Sequence, residues 1–307
     1  MKSKKSSSIL RSFVVILAIL SLAVGLSSQQ KQKLKVYISV DMEGIWGVVH
    51  GDQTSPESRE YGSARKWMAQ DVNAAIEGAI AAGASEIVVN DAHGSQRNIN
   101  PDDLDPRAYL ISGSPKPLSM MQGIDETFQA CVLIGYHARA GSTPAVLDHT
   151  ISGSTVYAIR INGQEMPELG LNAAIAGYFN VPVVMISGDS ETCRQAVSIL
   201  GKELETAPIK EAAWRYAAKM LPREDSLKLI REAVREAVLR REKIKPFRAT
   251  LPCTFEVEFH QSSQAEMVEL IPGVKRPSAR LVSFTSSDYL EGFKLMRAII
   301  ALGSTAR

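Results

Sequence analysis

Four short, largely apolar runs, at residues 34–40, 86–89, 131–134 and 181–187, each end abruptly in polar residues or glycine. Runs of strand length that are apolar at successive positions, not at alternate ones, suit strands buried on both faces. The stretch 61–82 between the first two carries Met68, Val72, Ala75, Ile76, Ala79 and Ile80 on one helical face and stops at Gly83. Strands alternating with helices imply an α/β fold, a mostly parallel sheet with helices on both faces. In such sheets functional residues collect beyond the carboxyl ends of the strands. The residues that end each run are therefore the informative ones.

The first run ends in Ser39-Val40-Asp41-Met42-Glu43-Gly44. Asp41 and Glu43 are two apart, so in extended chain both carboxylates leave on one face. They repel each other unless water or a cation separates them; a solvated acidic loop and a metal site are the two readings. The second run leads into Asn90-Asp91-Ala92-His93-Gly94, and the third into Gly135-Tyr136-His137-Ala138-Arg139-Ala140. Two of the five histidines thus stand at equivalent edge positions beside the carboxylate pair. That arrangement favours a metal site.

Further on, Asn162-Gly163 marks a tight hairpin at 156–166, and Pro167 with Glu168 opens a helix at 168–179. On spacing alone Glu168 merely complements the helix dipole. A helix at 191–200 follows. From about residue 203 the composition shifts: helices are expected at 210–220 and 226–242, strands at 255–259 and 280–285, and a terminal helix at 289–302. The expected organisation is an α/β domain at 34–203 carrying the site, and a smaller α+β C-terminal domain at 204–307.

The N-terminus has the pattern of an export signal, with Lys2, Lys4, Lys5 and Arg11 ahead of an apolar stretch at 13–26 and small residues after it. A signal peptide at 1–28 implies a secreted or periplasmic protein, with no stable membrane partner once the signal is cleaved. Its removal takes four positive charges and no negative ones from the net +2, leaving −2. Nothing in that balance suggests nucleic acid. Cys131, Cys193 and Cys253 are scattered and odd in number, so neither a disulfide framework nor a cysteine zinc site is expected.

With Ser-Val-Asp-Met-Glu-Gly, Asn-Asp-Ala-His-Gly, Gly-Tyr-His-Ala-Arg-Ala and Glu-Leu-Gly-Leu-Asn-Ala (residues 168–173) in one order, the chain resembles the zinc-dependent D-aminopeptidases. The resemblance runs from about residue 35 to near residue 302. It implies a two-zinc site (Zn2+) built from Asp41, Glu43, His93, His137 and Glu168, with Asp41 shared by both ions. It places the family's catalytic histidine on His149, as general acid–base or as nucleophile. This chain has Gly141 as an extra residue there, and Asp148 in place of a small polar one, able to raise the imidazole pKa or to face solvent. The resemblance also implies a short-peptide substrate with an N-terminal D-residue, peptidoglycan-derived for an exported enzyme, and a homo-oligomeric ring such as a decamer. Asp91 and Asp189 are candidates for holding the substrate amine, although Asp91 reads more simply as a turn residue. His50 and His260 match nothing in the family pattern and read as structural or surface residues. The competing readings are a metal-dependent hydrolase of another amide or ester bond, and a non-catalytic exported binding protein that retains the fold.

Overall fold

Residues 33–306 are described in the computed structural model of the chain, so the expected export signal lies outside the described residues. Each apolar run is a strand: β1 (Lys35–Val40), β2 (Glu86–Asp91), β4 (Ala130–Ile134) and β7 (Val183–Asp189). With β3 (Tyr109–Ile111), β8 (Glu205–Trp214) and β9 (Ala217–Met220) they form a seven-stranded sheet in the order β3-β2-β1-β4-β7-β8-β9. Every neighbouring pair is parallel except β8 with β9. Val36, Ile38 and Val40 pack against α2 (Tyr61–Ala81) and α5 (Arg223–Leu239), whereas Tyr37, Cys131 and Leu133 face α3 (Glu168–Tyr178) and α4 (Ser190–Leu200). Both faces are covered, which is why the runs are apolar at successive positions.

A second, antiparallel sheet has the order β11 (Leu281–Ser286), β10 (Cys253–Phe259), β5 (Val156–Ile161), β6 (Gln164–Glu165). β10 alternates, with Phe255, Val257 and Phe259 inside and Glu256 and Glu258 on the other face. Its inner face carries α6 (Ser262–Glu269) and α7 (Tyr289–Gly303), whose Phe293, Met296 and Ile300 share the core with it. The expected division at residue 203 does not follow these sheets. β8, β9 and α5 lie beyond it and complete the first sheet, and β5 and β6 lie before it and pair with β10.

The expected helix at 210–220 is instead the β8–β9 hairpin. Its sequence is rich in helix formers, but β8 gains a parallel partner in β7, and tertiary pairing overrides local propensity. This has a consequence for the loop after β1. The fully buried Lys210 lies opposite Asp189, and its ammonium donates to the carbonyls of Glu43 (2.7 Å), Ile45 (2.9 Å) and Val48 (2.6 Å). Burial draws its pKa down to about 8, while Asp189, Asp71 and Glu43 pull the other way. At the start of the loop Gly44 donates to the Gly135 carbonyl at 2.8 Å, and a Cβ on Gly44 would run into the Tyr136 carbonyl oxygen. Only glycine permits that approach.

Lys210→Met keeps the buried length but strands three carbonyls. It is expected to destabilise the protein by roughly 3 kcal/mol, read from the midpoint of urea unfolding at unchanged slope. A shift below about 0.5 kcal/mol would mean that the loop does not depend on this lysine.

Candidate metal centre

Asp41 and Glu43 follow β1, His93 follows β2 and His137 follows β4, so the carboxyl edge of the first sheet supplies four of the six expected residues. The other two flank the start and end of the β5–β6 hairpin: His149 precedes β5, and Glu168 is the first residue of α3. The structure brings all six together. His93 Nδ1 lies 3.3 Å from Asp41 Oδ1 and 3.0 Å from Glu43 Oε2. His137 Nε2 lies 3.4 Å from Asp41 Oδ2 and 3.5 Å from Glu168 Oε1. His149 Nε2 is 3.8 Å from the same Glu168 oxygen, and its ring stacks on His137 with centroids 4.0 Å apart.

The other ring nitrogens show what these contacts mean. His93 Nε2 meets the Thr54 carbonyl at 3.1 Å, His137 Nδ1 the Ala138 carbonyl at 3.0 Å, and His149 Nδ1 the Leu147 carbonyl at 2.8 Å. A carbonyl only accepts, so each of these nitrogens carries the proton. In the neutral rings of His93 and His137, lone pairs therefore face carboxylate oxygens. Like partial charges at 3.0–3.5 Å demand a proton or a cation between them. Among the described residues Asp41 Oδ2 and His137 Nε2 are buried without a hydrogen-bond partner, in agreement with this.

Burial works to raise the pKa of Glu43 and of Glu168, but the imidazoles around them together outweigh it, His93 foremost at the first and His137 at the second. Glu43 is held well below its usual range, and Glu168 at about 2. Burial likewise works to lower the imidazoles, yet Glu43 with Asp41 holds His93, and Glu168 with Asp41 holds His137, well above the ordinary 6.5. His93 and His137 thus face three carboxylates, those of Asp41, Glu43 and Glu168, whose negative charge favours the protonated rings. The donor atoms of Asp41, Glu43 and His137 lie within 4.8 Å of one another, as do those of His137, His149 and Glu168. Imidazole and carboxylate donors of this number fit zinc or a similar divalent ion.

The segment carrying His149 is strained and tied down. Leu147 and Ile151 have φ of 50° and 66°, and a β-branched residue enters that region only at a cost. Ile151 N–H donates to Glu168 Oε1 at 2.5 Å, Val146 N–H to Asp189 Oδ2 at 2.7 Å, and Leu147 N–H to the Arg215 carbonyl at 2.9 Å. Asp148 accepts from Gly141 N–H and pairs with Arg215, so it neither faces open solvent nor turns to the imidazole.

Asp91 and Asp189 do not reach the cavity. Asp91 accepts from Asn98 and Ile99 N–H and holds the His93 loop, and Asp189 also caps α4 through Thr192 N–H. His50 caps the short helix α1 (Gly51–Thr54), and His260 packs on Tyr157. The cluster opens into a cavity of about 190 Å³ lined by Asp41, His93, His149 and Glu168, and also by Gln96 and Arg297. Neither of the last two is marked by sequence. Gln96 has φ of 58° and a buried Oε1 that meets no donor among the described residues, and Arg297 lies within an ordinary helical pattern. A larger cavity of about 380 Å³ near Arg139 and Gln195 holds none of the six.

An α/β sheet with carboxylates and imidazoles at its carboxyl edge describes a metal-dependent hydrolase. The sequence pattern of peptidase family M55, the D-aminopeptidases, matches residues 34–298, and the chain belongs to that family. The D-aminopeptidase of Bacillus subtilis (strain 168) is 36% identical over 273 residues, 88% of this chain and 97% of that protein. The solved structure of the Zn-dependent D-aminopeptidase DppA from Bacillus subtilis, a self-compartmentalizing protease, aligns with a TM-score of 0.86 at 35% identity. It covers 89% of this chain and 99% of that one.

A metal ion held by His93 and His137 would displace the protons that their raised pKa values keep there. Zinc loading at pH 7 is expected to release about two protons per chain, measured by calorimetry in buffers of different ionisation enthalpy. In the metal-free protein the charged imidazoles contribute stability that is fully present below about 6.5 and lost as pH rises through their elevated folded-state values. Zinc binding without proton release would exclude these two ligands.

Proposed function

We propose that this protein is a zinc-dependent aminopeptidase that removes N-terminal D-residues from short peptides, with two ions per chain. The observation that carries the reading is the pair of lone pairs, on His93 Nδ1 and His137 Nε2, directed at three buried carboxylates. Asp41 turns Oδ1 to His93 and Oδ2 to His137, which supports a carboxylate shared between two ions, with Glu43 and Glu168 as the outer ligands. Held there, zinc supplies Lewis acidity to a peptide carbonyl.

His149 presents Nε2 to the same cavity, with its Nδ1 proton committed to the Leu147 carbonyl. That fits it to take a proton at Nε2 and pass it to the leaving amine. Glu168 is held by the Ile151 N–H, so the carboxylate and the histidine loop keep a common position. Its grouping with His137 and Glu168 supports a second reading for His149, as a ligand. The preference for D-residues rests on the activity for which the relatives are named.

Export and peptidoglycan-derived substrates are proposed from the pattern at 1–28 together with this activity. A homo-oligomer, in ring form, is proposed because the DppA relative is self-compartmentalizing.

The test is metal content per chain, then cleavage of matched D-Ala and L-Ala amides. About two zinc ions with D-selective cleavage are expected, and a protein that takes up no zinc would overturn the reading. His149→Ala is expected to keep both ions and lose turnover by about 10²–10⁴-fold. A zinc count lowered by one would make His149 a ligand instead.

A further inference from the structure

Resting on the peptidase reading above, we propose that Arg297 binds the free C-terminal carboxylate of the substrate and so selects peptides that end shortly after the scissile bond. Arg297 comes from α7, on the second sheet, and lines the cavity together with Asp41, His93, His149 and Glu168. Burial draws its pKa below the usual arginine range and Glu168 pulls it back, yet among the described residues it makes neither an ion pair nor a hydrogen bond. A guanidinium stays charged in proteins, and that of Arg297, half-buried at the cavity wall, keeps its donors open to a ligand.

The other cations around the site are committed. Arg139 pairs with Glu165 at 2.9 Å, and Arg215 pairs with Asp148. Lys116 donates to Asn90 Oδ1 at 2.5 Å and to the Asp91 carbonyl at 2.7 Å. Among the described residues Arg297 is thus the arginine that lines this cavity beside the donor cluster, placed to meet an anionic group of a ligand there.

The chemistry of a short peptide supplies that anion. In a dipeptide the carboxylate follows the scissile bond by one residue, about 3.5 Å of chain, so its partner must line the same cavity as the donor cluster. A planar guanidinium takes a carboxylate through two parallel hydrogen bonds, which fixes orientation as well as charge. The cavity, at about 190 Å³, is also smaller than the roughly 300 Å³ at which ordinary ligand pockets begin. A long peptide would carry its carboxylate out of reach of Arg297.

The experiment compares kcat/KM for D-Ala-D-Ala and for its C-terminal amide in zinc-loaded wild-type protein, Arg297→Gln and Arg297→Lys. Wild type is expected to favour the free acid by about 10–100-fold, the range of a charge-assisted pair. Arg297→Gln should bring the ratio near unity by slowing the acid alone, and Arg297→Lys should restore part of it. The ratio is taken within one preparation, so a partly unfolded variant does not distort it. A wild-type ratio near unity, or a ratio that Arg297→Gln leaves unchanged, overturns the proposal while leaving the peptidase reading intact. Cleavage of neither peptide by wild type overturns both.

Discussion

The site depends on one electrostatic conflict. His93 and His137 each give one ring nitrogen to a backbone carbonyl, and the lone pair that remains on each is directed at buried carboxylate oxygens. Such an arrangement is unfavourable unless a proton or a cation stands between the groups. The carbonyls of Thr54 and Ala138 are therefore as much a part of the site as the imidazoles themselves, because they decide which nitrogen is presented.

Holding that conflict in place is the task of a second set of buried charges. Lys210 ties the loop after β1 by three carbonyls, and Asp71, paired with Arg223 at 2.6 Å, accepts the Trp46 N–H of the same loop. Asp91 and Asp189 do the same for the His93 and His149 segments. Loops at a sheet edge have N–H and carbonyl groups without ladder partners, and a buried charge satisfies several at once. The strained residues Leu147 and Ile151 persist because such bonds over-determine them.

The cavity is a product of two sheets. The first supplies Asp41, Glu43, His93 and His137 at its carboxyl edge, and the second brings His149 and Glu168 to either side of its β5–β6 hairpin and Arg297 on α7. This explains why the chain crosses between the sheets at residues 156–165 and returns. A side-chain cluster that begins at the edge of one sheet is completed by residues of the other, which makes a small cavity with walls of different chemistry.

Sequence alone determined the parallel sheet, because strands buried on both faces are apolar at most successive positions, as residues 34–40, 131–134 and 181–187 are. It also marked Asp41, Glu43, His93 and His137, since each follows such a run directly. Glu168 was legible only through the family resemblance, because an acid in the first turn of a helix has a sufficient local explanation. Tertiary structure decided the rest. Residues 210–220 have helical composition, yet pairing with β7 makes them a hairpin and turns Lys210 inward. Asp148 meets Arg215 across 67 positions of sequence, and Arg297 reaches a cavity whose other walls lie more than a hundred residues earlier. Local sequence encodes periodicity and chain direction. It does not encode which distant carbonyl or carboxylate a side chain will meet, and that meeting sets proton positions and charge here.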